Sequence, residues 1–137
     1  MYKRQVPTQK LDRLSKKNHQ GVIARISPIK FFDIHEFSEI IEKSKIPFIL
    51  ILDQISDVRN FGAIIRTAEI SGVDGIIIQN SSSAPVNSDT VKTSAGAIFN
   101  IPICKVSHIK DAIYHLQSMY ISIICCLLYT SDAADES

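Results

Sequence analysis

Residues 48–62 read Phe48-Ile49-Leu50-Ile51-Leu52-Asp53-Gln54-Ile55-Ser56-Asp57-Val58-Arg59-Asn60-Phe61-Gly62. The unbroken apolar run Phe48–Leu52 is what a central parallel strand needs when both its faces are buried. It gives way abruptly to a polar loop, Asp53–Asn60. A helix is predicted over Phe61–Ser71, with Asn60 as its N-cap and Gly72 as its C′ glycine. The pattern then repeats downstream. Gly75–Gln79 is a second buried strand, Asn80–Asn87 a Ser-rich loop, and Ser88–Ala97 holds a short helix. Ile103–Val106 is a third strand, Lys110–Ser118 a helix, and Tyr120–Cys125 a last apolar run that completes the series as a strand. Alternation of this kind with short connections specifies an α/β fold, a parallel sheet with right-handed crossovers and flanking helices.

Upstream the signals are sparser. Val6–Asn18 is polar and basic and reads as a linker or the tail of a preceding element. Gly21–Ser27 reads as a strand stopped by Pro28. Asp33 followed by Glu36 is a capping box, and Ile34, Phe37, Ile40 and Ile41 follow at helical spacing to an end near Ser44.

Composition narrows the function classes. The chain has 137 residues, 45% hydrophobic and 21% charged, with a formal net charge of +1. That excludes wholesale disorder and a simple polybasic nucleic-acid binder, though not a local basic face. No apolar run reaches the ~18–20 residues of a membrane span. Cys104, Cys125 and Cys126 fit neither a disulfide framework nor a zinc site, and His19, His35, His108 and His115 show no ligand spacing. A reducing, cytoplasmic setting without a bound metal is the expectation.

The two ends look foreign to the rest. Back-translated as GTG TAT AAG AGA CAG, Met1–Gln5 has a reverse complement that, read from its second base, encodes Cys126-Leu127-Leu128-Tyr129-Thr130. The pair resembles one sequencing adapter translated on opposite strands. The expected organisation is therefore an adapter-like 1–5, a linker and the end of a substrate-binding region over 6–46, a domain fragment over 47–125, and an adapter-like 126–137.

In open α/β sheets ligands bind beyond the carboxyl ends of the strands, which singles out the loop after Leu52. Gly62 and Arg66 lie four apart and share a helix face. A glycine there admits a ligand or a second backbone, an arginine offers a planar fork to phosphate, and a helix N-terminus favours an anion. The plainer alternative stays open: Asn60 only a cap, Gly62 a packing residue, Arg66 a solvated side chain. Lys92, Ser94 and Gly96 form a second, weaker polar cluster.

The stretch Asp53–Ala68 resembles the first motif of the SpoU (TrmH-like) RNA 2′-O-ribose methyltransferases, with Val58 where the family usually has proline. Val91-Lys92-Thr93-Ser94-Ala95-Gly96-Ala97 and Ile101-Pro102-Ile103 match as well. Leu11-Asp12-Arg13-Leu14 and His19-Gln20-Gly21-Val22-Ile23-Ala24 resemble the linker of the branch that methylates a guanosine ribose in 23S rRNA. The resemblance implies a partial SPOUT-type sheet, S-adenosylmethionine as cofactor, rRNA as partner, and a homodimer. It implies catalytic roles for Asn60 and Arg66, and RNA contacts from Arg59, Arg66, Lys92 and Ser94. The family's Gly-rich second motif and its Ser-Leu-Asn third motif, which tie a trefoil knot around the cofactor, are not among these residues. No cofactor-binding residue is therefore expected in the chain, and by itself it is expected to be inactive. The competing expectation is a non-catalytic α/β RNA-binding module.

Overall fold

The computed structural model describes residues 4–16, 18–24, 29–81 and 83–126. Four parallel strands, β1 (Phe31–Phe32), β2 (Ile49–Leu52), β3 (Gly75–Gln79) and β4 (Ile103–Val106), form one sheet in the order β1-β4-β3-β2. The helices are α1 (Thr8–Leu14), α2 (Ile34–Ile41), α3 (Val58–Ile70), α4 (Ser88–Thr93) and α5 (Ile109–Ser118), with a 3₁₀ turn over Ala97–Phe99. None is long and apolar enough to cross a membrane.

Side-chain alternation along β3 divides the core in two. Ile76 and Ile78 face a cluster with Phe61, Ile65 and Ala68 of α3 and Ile98 of the 3₁₀ turn. Ile77 faces the opposite cluster, with Phe37 and Ile41 of α2 and Ala112 and Leu116 of α5. Gly75 allows that second layer to close, because a Cβ there would lie 2.4 Å from the Phe37 ring.

Several expectations need correction. The predicted linker contains α1, a helix with no buried residue. Gly21–Ala24 is irregular rather than a strand, and Arg25–Ser27 lie outside the described residues. The upstream strand is instead β1, paired through Phe31 with Ile103 and Phe32 with Cys104, with the Lys105 ammonium 3.9 Å from the Phe31 ring centroid. β2 lies at the sheet edge, with Ile49, Leu50 and Ile51 only partly buried. An apolar run reports that faces are covered, not how many strands flank it. The run Tyr120–Cys125 is no strand either. Tyr120, at φ +61°, is the left-handed residue of a Schellman turn, in which Ile121 N–H donates to Leu116 O at 3.1 Å and Tyr120 N–H to Gln117 O at 3.0 Å. Residues 121–126 follow irregularly along a cleft of about 500 Å³ against β2 and α5.

Other local expectations hold. Gly72, at φ +74°, closes α3 through Val73 N–H to Ala68 O (3.0 Å) and its own N–H to Glu69 O (3.2 Å). The capping box of α2 is complete: Asp33 Oδ1 accepts the N–H groups of His35 and Glu36, each at 2.9 Å, and Glu36 Oε2 accepts the Asp33 N–H. The Glu36 N–H is the main cause holding the Asp33 carboxyl below its ordinary value of 3.8. A depressed carboxylate contributes stability that is present above its unfolded value and is lost as pH falls through the folded one. Asp33→Asn keeps a capping acceptor but cannot titrate, so its unfolding stability should fall less steeply than the wild type's below pH 3.8. Urea melts across that range check this, and parallel curves would contradict it.

Candidate functional site

The loop leaving β2 turns through Gln54, a non-glycine residue at φ +54°. It is tied to the loop after β3 by the Ala84 N–H, which donates to Ile55 O at 2.8 Å. Both post-strand loops are therefore held together at the carboxyl edge of the sheet.

α3 starts three residues before its predicted first residue. Asp57, not Asn60, is the N-cap: its Oδ1 accepts the Asn60 N–H at 2.7 Å, and its carbonyl accepts the Phe61 N–H at 2.9 Å. Val58 thus occupies the first helical position, where a proline would be preorganised and would forfeit no hydrogen bond. Valine in that place costs stiffness and no contact. Asp57 also supplies the negative charge that the helix N-terminus favours and takes up one of its free N–H groups, that of Asn60.

Gly62 is a packing residue for a second helix. A Cβ on it would lie 2.0 Å from Thr93 Oγ1, 2.6 Å from Thr93 Cβ and 3.0 Å from the Ser94 backbone nitrogen. The Thr93 hydroxyl lies 2.9 Å from Asp89 O within α4 and 3.3 Å from Val58 O at the start of α3, so it donates within one helix and across to the other. Sequence reasoning quoted Thr93 only within a motif and missed its role. The available signal was a pair of small residues, one on each of two successive helices. Buried Thr90 supports the same corner, donating to Pro85 O at 2.7 Å.

Arg59 and Arg66 are both exposed and lie seven residues apart, on one stripe of α3 with exposed Ala63. Asn60 is exposed too, but sits about 120° around the helix from Arg66 at 3.6 residues per turn. Lys92 is exposed on α4. Ser94 is fully buried, its hydroxyl donating to Val91 O at 3.2 Å, which leaves it no surface on this chain to offer RNA. Gly96, at φ +85°, follows Ala95 at φ +52°, and both N–H groups close the end of α4 on Val91 and Lys92 carbonyls. The structure thus groups Arg59, Arg66 and Lys92 on helices that pack together, with Asn60 on another side of α3. Cys104 is fully buried on β4, and burial pushes its thiol up to about 12. Among the described residues no group of three or more His, Cys, Asp or Glu could hold a metal ion.

A family model described as the SpoU rRNA Methylase family matches residues 47–136. Over 113 residues the chain is 40% identical to a Staphylococcus saprophyticus protein whose name places it in the TrmH family of tRNA/rRNA methyltransferases; the match covers 82% of this chain and 45% of that protein. It is 34% identical over 113 residues to the 23S rRNA (guanosine-2′-O-)-methyltransferase RlmB of Vibrio vulnificus, covering 82% and 46%. The chain spans about half the length of the curated relatives it matches. Among solved structures, the AdoMet-bound rRNA methyltransferase from Sinorhizobium meliloti superposes with a TM-score of 0.53 at 27% identity, covering 65% of this chain and 32% of that one.

An alanine in place of glycine within an exposed helix gains about 1 kcal/mol of propensity. At Gly62 the collision with Thr93 reverses the sign, and Gly62→Ala should lose about 1–3 kcal/mol in urea unfolding, as overpacking does; a gain would show that α3 and α4 do not approach so closely. The family match takes in every element from β2 to α5, including the helix pair that Gly62 brings together, and this chain belongs to the SpoU rRNA methylase family.

Proposed function

We propose that the protein to which these residues belong transfers a methyl group to a ribose 2′-hydroxyl of rRNA, a guanosine of 23S rRNA, and acts as a homodimer. The observation that carries the reading is the exposed stripe of Arg59 and Arg66, with Lys92 on the helix packed beside it. Exposed cations on two packed helices suit an RNA backbone, and a guanidinium grips phosphate through a planar fork of donors. The name of the Vibrio vulnificus relative supports the guanosine and the 23S target.

S-adenosylmethionine, with which the Sinorhizobium meliloti neighbour was crystallised, would supply a methyl group on a sulfonium when bound. The cleft along β2 does not fit it. Its lining is apolar side chains such as Ile49, Ile51, Ile113 and Leu116, and Asp53 is the one charged group on its wall. It offers no cation for the methionyl carboxylate. No Gly-x-Gly-x-x-Gly opens a helix, and Asp57 closes the N-terminus of α3. The 137-residue polypeptide alone is therefore expected not to turn over.

What this chain's own residues would do is position. A guanidinium offers five donors and no acceptor, so Arg66 does not act as a general base. Its role is to fix the phosphate beside the reacting ribose and to stabilise negative charge there. Asn60, whose backbone N–H is held by Asp57, is exposed on another side of α3 and would meet the substrate through its amide away from the phosphate that Arg66 holds.

Deleting the gene should remove one 2′-O-methyl from 23S rRNA, mapped by resistance of that linkage to alkaline cleavage. The wild-type gene should restore it, Arg66→Ala should not, and Arg66→Lys should restore little, because a point charge does not reproduce the fork. Retention of every rRNA ribose methyl in the deletion strain would overturn the reading. Full restoration by Arg66→Lys would remove the bidentate role.

A further inference from the structure

The segment before the sheet is more elaborately built than a linker requires. His19–Val22 is a type I′ turn: Gln20 (φ +47°) and Gly21 (φ +79°) are both left-handed, and the Val22 N–H donates to His19 O at 2.9 Å. Side chains bond both central amides. Asn18 Oδ1 accepts the Gln20 N–H at 3.3 Å, and His19 Nδ1 accepts the Gly21 N–H at 3.0 Å. Because Nδ1 accepts, the ring hydrogen is on Nε2, which donates to Asp12 Oδ1 at 2.9 Å. The His19 ring, only 12% exposed, thereby clasps the turn to α1.

Two features of this hook point to a ligand. A left-handed first position is suited to Gly, Asn or Asp, and Gln is sterically disfavoured there, so shape alone does not ask for it. Its side chain stands exposed at the apex of the turn. Second, residues 6–24 carry Lys10, Arg13, Lys16 and Lys17 against a single acid, Asp12, whose carboxylate is engaged by His19. The hook combines an exposed amide with excess positive charge.

We infer that this hook reads the RNA substrate: the Gln20 amide contacts a base edge, while Lys10, Arg13 and Lys16 face phosphates. His19 is a positioning residue that acts through Gln20. Gln offers a donor and an acceptor side by side, as an unpaired base edge does, and RNA is read mainly at unpaired bases. The inference rests on the proposed RNA methylation.

The test uses the full-length protein with unmodified 23S rRNA transcript as probe, measuring methyl transfer and, separately, transcript binding on filters. Gln20→Gly relaxes the backbone and deletes the amide. It should raise KM about tenfold with kcat unchanged and thermal stability no lower, the loss of roughly one good hydrogen bond. Gln20→Asn, which tolerates the left-handed region and keeps an amide, should recover most of that loss. His19→Ala should raise KM comparably, and the double variant His19→Ala/Gln20→Gly should be no worse than either single one. A wild-type KM for Gln20→Gly, or multiplying effects in the double variant, would overturn the inference. If the wild-type enzyme methylates no transcript, the parent reading fails instead, and the filter-binding affinities of the same variants still decide the role of the hook.

Discussion

The contact on which this architecture turns is the one between Gly62 and Thr93. The threonine hydroxyl stands 2.0 Å from where a Cβ on residue 62 would be, and only a bare backbone allows it. From there it reaches back to Val58 at the start of α3 and along α4 to Asp89. α3 is meanwhile fixed from below by Phe61, Ile65 and Ala68 against the Ile76 and Ile78 face of β3. With one side pressed on the sheet and another on α4, α3 has little freedom to roll. The direction of its remaining stripe, Arg59 through Arg66, is thus set by packing.

That rigidity matters because of how charge is distributed around α3. Many phosphate sites use the backbone N–H groups of a helix N-terminus. Here Asp57 already occupies that end with its own carboxylate, bonded to Asn60 N–H. On the proposed reading, anion recognition falls to side chains, Arg59 in the first turn of α3 and Arg66 about two turns further on. Exposed arginines form weak fixed salt bridges in water, but against a polyanion they gain from counterion release. A rigid platform reduces the ordering cost of using them together.

Much of this was legible in the residues. β3 and β4 match their predicted bounds because Ile76, Ile77 and Ile78, and Ile103 and Cys104, are buried on both faces, as their apolar runs demand. The α2 cap was legible because Asp33 and Glu36 sit at the required spacing. At α3 the same logic met two capping residues, Asp57 and Asn60, three positions apart, and side-chain preference cannot choose between them. The chain uses Asp57, whose carboxylate accepts the Asn60 N–H and whose carbonyl accepts the Phe61 N–H, so the helix gains a further turn. Tyr120–Cys125 failed for a different reason. Hydropathy is blind to backbone handedness, and the Schellman bonds to Leu116 and Gln117 turn the chain before any strand can begin. Residue type likewise did not reveal that Ser94 is buried while Lys92, two positions away, is exposed.

The central claim is that α3, held by α4, turns its arginine stripe to an RNA backbone. The salt dependence of RNA affinity reports phosphate neutralisation directly. With the full-length protein and 23S rRNA transcript, the slope of log K against log salt should fall in magnitude by about 0.7 for each of Arg59→Gln and Arg66→Gln, the value for one fewer phosphate neutralised on a single strand. Slopes equal to the wild type's in both variants would contradict the account.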